Sequence, residues 1–157
     1  ALCNAGLAPV ADRLKNGIKV GLGTDNGEGN FYENMRYLVL MQMGKNYSKH
    51  ALTPLQGFQI ATEGGAFGLG YTDVGCLKEG YSADFQILTG NAAIQLTEKN
   101  VVAEVFWRKD PKDIKKVYVN GNLICQDGHS VNLDDERIRK DFSECVREFW
   151  KGQPYQD

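Results

Sequence analysis

Gly17-Ile18-Lys19-Val20-Gly21-Leu22-Gly23-Thr24-Asp25-Asn26 is the stretch on which the fold of this chain turns. Ile18 to Leu22 is a short apolar run with β-branched residues, which favours a buried strand. Gly23 then lets the backbone turn tightly as the strand ends. An acid at that end stands at the mouth of a parallel sheet or barrel, where α/β folds place their chemistry. Asp25 is therefore a candidate catalytic residue. The same residue also suits a structural role, because an aspartate after a strand forms turns and caps helices. On the residues alone both readings stay open.

The flanking segments extend the α/β reading. Upstream, Leu7 to Lys15 is expected to be a helix, with Pro9 in its first turn and Gly17 closing it. Leu7, Val10 and Leu14 share one face at helical spacing. A helix, almost no linker and an apolar strand is the rhythm of a fold with parallel strands. Downstream, Phe31 to Met43 is expected to be a helix that is apolar nearly all round and buried on more than one side. Thr53-Pro54 starts another helix, with Thr53 as cap and Pro54 at its first position. That helix runs toward Gly64-Gly65, and Ala66 to Leu69 continues the helical path.

After Gly70 strands and turns replace helices. Ala83 to Leu88 and Val101 to Phe106 are expected strands. Val117-Tyr118-Val119 and Leu123-Ile124-Cys125 flank Asn120-Gly121-Asn122, which predicts a hairpin with a type I′ turn. The last helix is expected from Asp134 to about Trp150. Acids at 134–136 suit its positive N-terminal end, and Ile138, Phe142, Cys145 and Phe149 form its apolar stripe.

Composition narrows the classes. The chain has 157 residues, 42% of them hydrophobic and 24% charged, with a formal net charge of −2. These values suit an ordinary globular domain. No long basic run argues for nucleic acid, and no apolar stretch reaches membrane-spanning length. Cys3, Cys76, Cys125 and Cys145 are scattered, with no C-x-x-C and no Cys/His cluster. That pattern speaks against a zinc finger or redox motif and suits reduced core thiols. With no basic and apolar leader in view, the expected location is the cytoplasm.

Several local motifs stand in one order. They are Asn4-x-Gly6-x-Ala8-Pro9-Val10, Val20-Gly21-Leu22-Gly23-Thr24-Asp25, and Ala61-Thr62-x-x-Gly65-Ala66-x-x-Leu69-Gly70. Gly75-x-Leu77-x-x-Gly80-x-x-Ala83-Asp84 and Val117-x-Val119-Asn120-Gly121 follow. The series resembles the C-terminal end of the amidohydrolase superfamily, and most of all its cytosine deaminase, chlorohydrolase and aminohydrolase branch. The resemblance spans roughly residues 4 to 125.

The resemblance implies an α/β fold: the C-terminal piece of a (β/α)8 metal-dependent hydrolase barrel plus the C-terminal part of its β-sandwich. Residues 1–70 would be the last barrel strand, Ile18 to Leu22, with its flanking helices. Residues 71–157 would be the sandwich portion with a C-terminal helix. The family activity would be deamination or dechlorination at a C–N or C–Cl bond of a small heterocycle or amidine. Asp25 would be both the catalytic acid and a residue at the metal, zinc or iron. A metal lowers the pKa of its water, and a nearby carboxylate accepts that proton.

The chain departs from the family pattern in its ligands. Its only histidines, His50 and His129, form no H-x-H pair, and such sites need at least three protein ligands. Both read as loop or turn residues. The expectation is a fragment of a longer enzyme, inactive and without bound metal by itself, whose small-molecule substrate is not readable here. Asn26 and Glu28 are candidates for the mouth of the site, though loop solvation is the simpler reading, and Asp84 is a turn acceptor. A non-catalytic structural or interaction module is the alternative. The apolar Phe31 to Met43 helix and the unaccompanied strand predict a homo-oligomer, a two-fold dimer burying Ile18 to Met43.

Overall fold

A computed structural model describes residues 6–25, 29–90 and 94–151. Asn4, Cys3, Asn26, Glu28 and the segment after Lys151 lie outside the described residues. The chain builds a helical layer followed by an antiparallel sheet and a last helix.

The helical layer opens with α1, Val10–Lys15, which Pro9 caps from outside rather than entering as its first residue. Its end is a Schellman motif. Gly17 at φ 73° donates to the Leu14 carbonyl at 3.0 Å, and Ile18 donates to Arg13 at 3.0 Å. Next comes α2, Phe31–Lys45, where the Asn30 side chain accepts the Glu33 N–H at 3.2 Å. Then α3, Pro54–Ala61, starts on a capping box in which Thr53 and Gln56 satisfy each other's backbone N–H groups. The path breaks at Thr62, whose hydroxyl turns back to the Phe58 carbonyl at 2.9 Å. It resumes as α4, Glu63–Gly68, which a second Schellman turn at Gly70, φ 80°, closes.

The sheet has four antiparallel strands in the order β1, Phe85–Leu88; β2, Ile114–Val119; β3, Asn122–Gln126; β4, His129–Ser130. Tyr118 faces Phe85 on one side and Leu123 on the other, and the Phe85 and Tyr118 rings stack at 4.7 Å. Asn120 at φ 48° and Gly121 at φ 75° make the expected type I′ turn. Asp127 and Gly128, at φ 49° and 83°, repeat that geometry between β3 and β4.

Two expected strands are corrected. Val101–Arg108 is a helix, α5, and not a strand. Read as a strand, its alternate positions are apolar on both faces. Read as a helix, Val102, Val105, Phe106 and Lys109 form a single inward face. Ile18 to Leu22 is not assigned as a strand either. The described residues offer it no neighbouring strand, so the backbone lacks the ladder that defines one. Accordingly no barrel closes among the described residues, and the sheet that is present is antiparallel.

Core residues come mainly from the helices. Val10, Tyr32, Met35, Val39, Leu52, Ile60 and Phe106 are buried together, with Val20, Leu22, Leu88 and Ile114 packed against them. Gly57 makes room at the centre: a Cβ there would lie 2.7 Å from a Val39 methyl carbon and 3.1 Å from the Phe106 ring. Phe106 is fully buried, so α5 belongs by packing to the helical layer. Contrary to expectation, α2 is buried on one side only, and Tyr37, Leu40 and Met41 are exposed. Nor are the described cysteines core thiols: Cys76 and Cys145 are exposed and Cys125 is half-buried. Following β4 comes α6, Asp135–Phe149, with no buried residue along its length.

Candidate functional site

Asp25 ends a segment that behaves like a strand without a ladder. Val20, Leu22 and Thr24 are half-buried, while Gly21, Gly23 and Asp25 are exposed. That is the period of an extended chain lying with one face on a core. Val20 and Leu22 pack against the helical core. The opposite face carries Gly21, Gly23 and then Asp25.

Two glycines set how closely this segment lies on the helices. A Cβ on Gly64 would stand 2.1 Å from the Val20 carbonyl oxygen, and one on Gly21 would stand 2.8 Å from the Gly64 carbonyl oxygen. Only backbone fits between them. Lys19 adds its ammonium over the Phe67 ring at 4.3 Å. Just past Asp25, which adopts φ 54°, the chain leaves the segment and enters α2 through the Asn30 cap. Positive φ in a non-glycine residue marks a sharp turn that aspartate tolerates better than most.

Other residues singled out in the sequence are structural. Asp84 accepts the Asn120 N–H at 2.6 Å and the Ser82 hydroxyl at 2.9 Å, which pins the hairpin turn to β1. His50 sits exposed in a turn. His129 lies on β4 with Nδ1 3.3 Å from Asp135 at the start of α6. Among the described residues no group of three or more His, Cys, Asp or Glu could hold a metal ion. The residues present therefore do not fit a metal centre by themselves, and Asp25 stands without partner ligands.

Two polar features escaped the sequence reading. The Arg36 guanidinium donates to the Phe106 carbonyl at 2.8 Å, to the Lys109 carbonyl and to Asp110 at 2.8 Å. Buried Gln42 accepts the Ala11 N–H at 3.0 Å and donates to the Ala8 carbonyl at 2.9 Å, tying α1 to α2. The partners are 70 and 31 residues away, so no local signal marks either residue. Burial, followed by the charges of Asp113 and Asp110, raises the Tyr32 phenol above its ordinary range, and its hydroxyl donates to Gln86 at 2.8 Å.

No helix among the described residues is long and apolar enough to cross a membrane. The amidohydrolase family profile matches residues 2–124. A 5-methylthioadenosine/S-adenosylhomocysteine deaminase of Shouchella clausii is 34% identical over 147 residues, which cover 91% of this chain and 34% of that protein. Among solved structures, an atrazine chlorohydrolase from Arthrobacter aurescens TC1 complexed with zinc superposes with a TM-score of 0.76 at 25% identity, over 90% of this chain and 32% of that one. An adenosine deaminase from Xanthomonas campestris with bound zinc shares the fold at a TM-score of 0.83 and 17% identity, over 92% of this chain and 34% of that one. The chain thus spans about a third of the length of the curated relatives it matches. Its mixed α/β structure corresponds to a third of an amidohydrolase chain, and its relatives include both deaminases and chlorohydrolases. With its family profile matched over most of its length, this chain belongs to the amidohydrolase family.

Proposed function

We propose that this chain is the C-terminal share of a metal-dependent amidohydrolase about three times as long, which hydrolyses a C–N or C–Cl bond of a small heterocycle or amidine. The observation that carries the reading is the segment before Asp25. It is extended, packs one face on the helical core, and turns sharply at an acid. In a barrel the face bearing Gly21, Gly23 and Asp25 would line the interior, and Asp25 would stand at the catalytic end. Residues 1–70 would supply that last strand and its helices, and residues 71–157 the sandwich share and α6, with α5 returning to the helical layer.

Asp25 is the catalytic and metal-side acid of the proposal, and its own contribution is to accept and return a proton at its carboxylate. A zinc or iron ion would supply an activated water in the complete protein. Its remaining ligands would come from outside this chain, because the described residues hold no set that fits. The small-molecule substrate would be shaped by loops this chain does not carry. We assign the protein to the cytoplasm, with neither nucleic acid nor membrane as partner. We also infer a two-fold homo-oligomer, whose proposed surface lies within Ile18 to Met43. Much of α2's apolar side is already covered by α3 and α5, so Ile18, Tyr37, Leu40 and Met41 are what remains open there.

The purified chain should hold no stoichiometric zinc or iron by elemental analysis and should hydrolyse no purine, pyrimidine or triazine. One tightly held metal per chain that is lost in Asp25→Asn would overturn this. In the complete protein, Asp25→Asn should lower kcat by about 10²- to 10⁴-fold. An unchanged kcat would remove Asp25 from the chemistry and favour a non-catalytic interaction module.

A further inference from the structure

We infer that α6 is a docking helix that pairs in parallel with the α6 of a second copy of this chain. The inference goes beyond the catalytic reading and does not depend on it. A carboxylate oxygen of Asp134 caps the helix by accepting the Arg137 N–H at 3.0 Å. Ile138, Phe142 and Phe149 are nevertheless 49%, 69% and 65% exposed. With exposed Cys145 they recur at intervals of four, three and four residues, the a/d pattern of a two-stranded coiled coil. Val146 and Trp150 widen the stripe and are also open to solvent. A helix of 15 residues is marginal alone in water, and an apolar stripe of this size marks an interaction surface.

The charges along the stripe select the occupant. With Ile138 and Cys145 at d and Phe142 and Phe149 at a, one edge (the g positions) carries Asp134, Asp141 and Glu148. The other edge (the e positions) carries Arg139 and Val146. In a parallel pair each g position meets the partner's e position five residues on, so Asp134 meets the second copy's Arg139 twice by symmetry. An antiparallel pair would set one acidic edge against the other. An anionic lipid surface would meet the same acidic edge and be repelled. Asp141 and Glu148 are partly neutralised within their own helix, by Arg137 at 3.6 Å and Lys151 at 2.6 Å. The seam itself is apolar, and burying each Phe or Ile contributes about 1.5–3 kcal/mol to association.

Parallel pairing also sets Cys145 against Cys145 across the two-fold axis, whereas antiparallel pairing sets it against Phe142. The test uses sedimentation of the purified chain with Phe142→Glu and Arg139→Glu variants. It adds mild oxidation of a variant carrying serine at 3, 76 and 125. Expected are a dimer, at least tenfold weaker association in Phe142→Glu, a smaller loss in Arg139→Glu, and a covalent dimer through Cys145. Circular dichroism and urea unfolding of the variants should be unchanged in the sheet and core, because Phe142 packs on neither. A monomer at every concentration would overturn the proposal. So would a dimer indifferent to Phe142→Glu, which would return the interface to Ile18–Met43. Loss of the dimer in Phe142→Glu without a Cys145 cross-link would overturn the parallel arrangement.

Discussion

A methyl group on Gly64 would lie 2.1 Å from the Val20 carbonyl oxygen, so one hydrogen atom decides whether the segment before Asp25 can lie on the helices. Gly64→Ala should cost about 1–3 kcal/mol by urea unfolding, because backbone must move on both sides. Unchanged stability would mean that the segment does not seat there. Gly121 has a different reason to be glycine. Its φ of 75° follows Asn120 at 48° in the type I′ turn, and a β-branched residue resists that region. Gly121→Val should destabilise by about 1–2 kcal/mol, measured the same way. Asp113 gives a pH dependence. The Asp110 N–H bonded to it at 2.9 Å is the main reason its carboxyl lies below the ordinary 3.8, with the Thr89 hydroxyl and nearby lysines assisting. A lowered folded pKa favours the native state above the unfolded value. That contribution is lost as pH falls below 3.8 and through the folded pKa. Acid unfolding of Asp113→Asn should therefore show a shallower loss of stability over that window than the parent chain does.

Capping explains why the helices start where they do, and long-range contacts explain what they become. Thr53-Pro54 could be read directly, since a cap, a proline and Gln56 are all local. Thr53→Ala should cost about 1 kcal/mol. The type of α5 could not be read as easily. Val101–Arg108 carries apolar residues at both periods, and the fully buried Phe106 against Gly57 and Val39 selects the helix. Arg36 then holds the end of α5 by its carbonyls and by Asp110. Arg36→Met should destabilise by about 2–3 kcal/mol, since it leaves two carbonyls and a carboxylate without their charged donor. Arg36→Lys should recover only part of this, because an ammonium cannot reproduce the planar fork.

Taken together, the chain has one buried core and several open apolar surfaces. Core residues from α1, α2, α3 and α5 close around Val39, Leu52 and Phe106. Leu69 and Leu77, at 78% and 77% exposed, and the stripe of α6 remain uncovered. Stability should be unevenly distributed as a result. In native-state hydrogen exchange, amides of α2, α3 and α5 should be the slowest. Those of α6 should exchange fastest on dilution and gain protection as concentration rises. Protection of α6 that ignores concentration would show that the helix is stable without a second copy.

Local chemistry settled much of this protein in advance. Glycine and proline placement, the Thr53 and Asp134 caps and the Asn120-Gly121 turn depend on neighbours within a few residues, so their outcome is written in order along the chain. The motif series likewise marked the family, and Asp25 at the end of an apolar run marked the candidate site. The sequence could not decide whether Ile18 to Leu22 would be a strand, because a strand exists only by pairing and no partner is present among the described residues. It could not decide α5, because two periods fit and only the pocket at Gly57 chooses between them. Nor could it place Gly64 under Val20, Arg36 on the end of α5, or the apolar face of α6 in solvent. Each of these rests on contacts between residues far apart in the chain, or on their absence, and packing in three dimensions alone creates or withholds them.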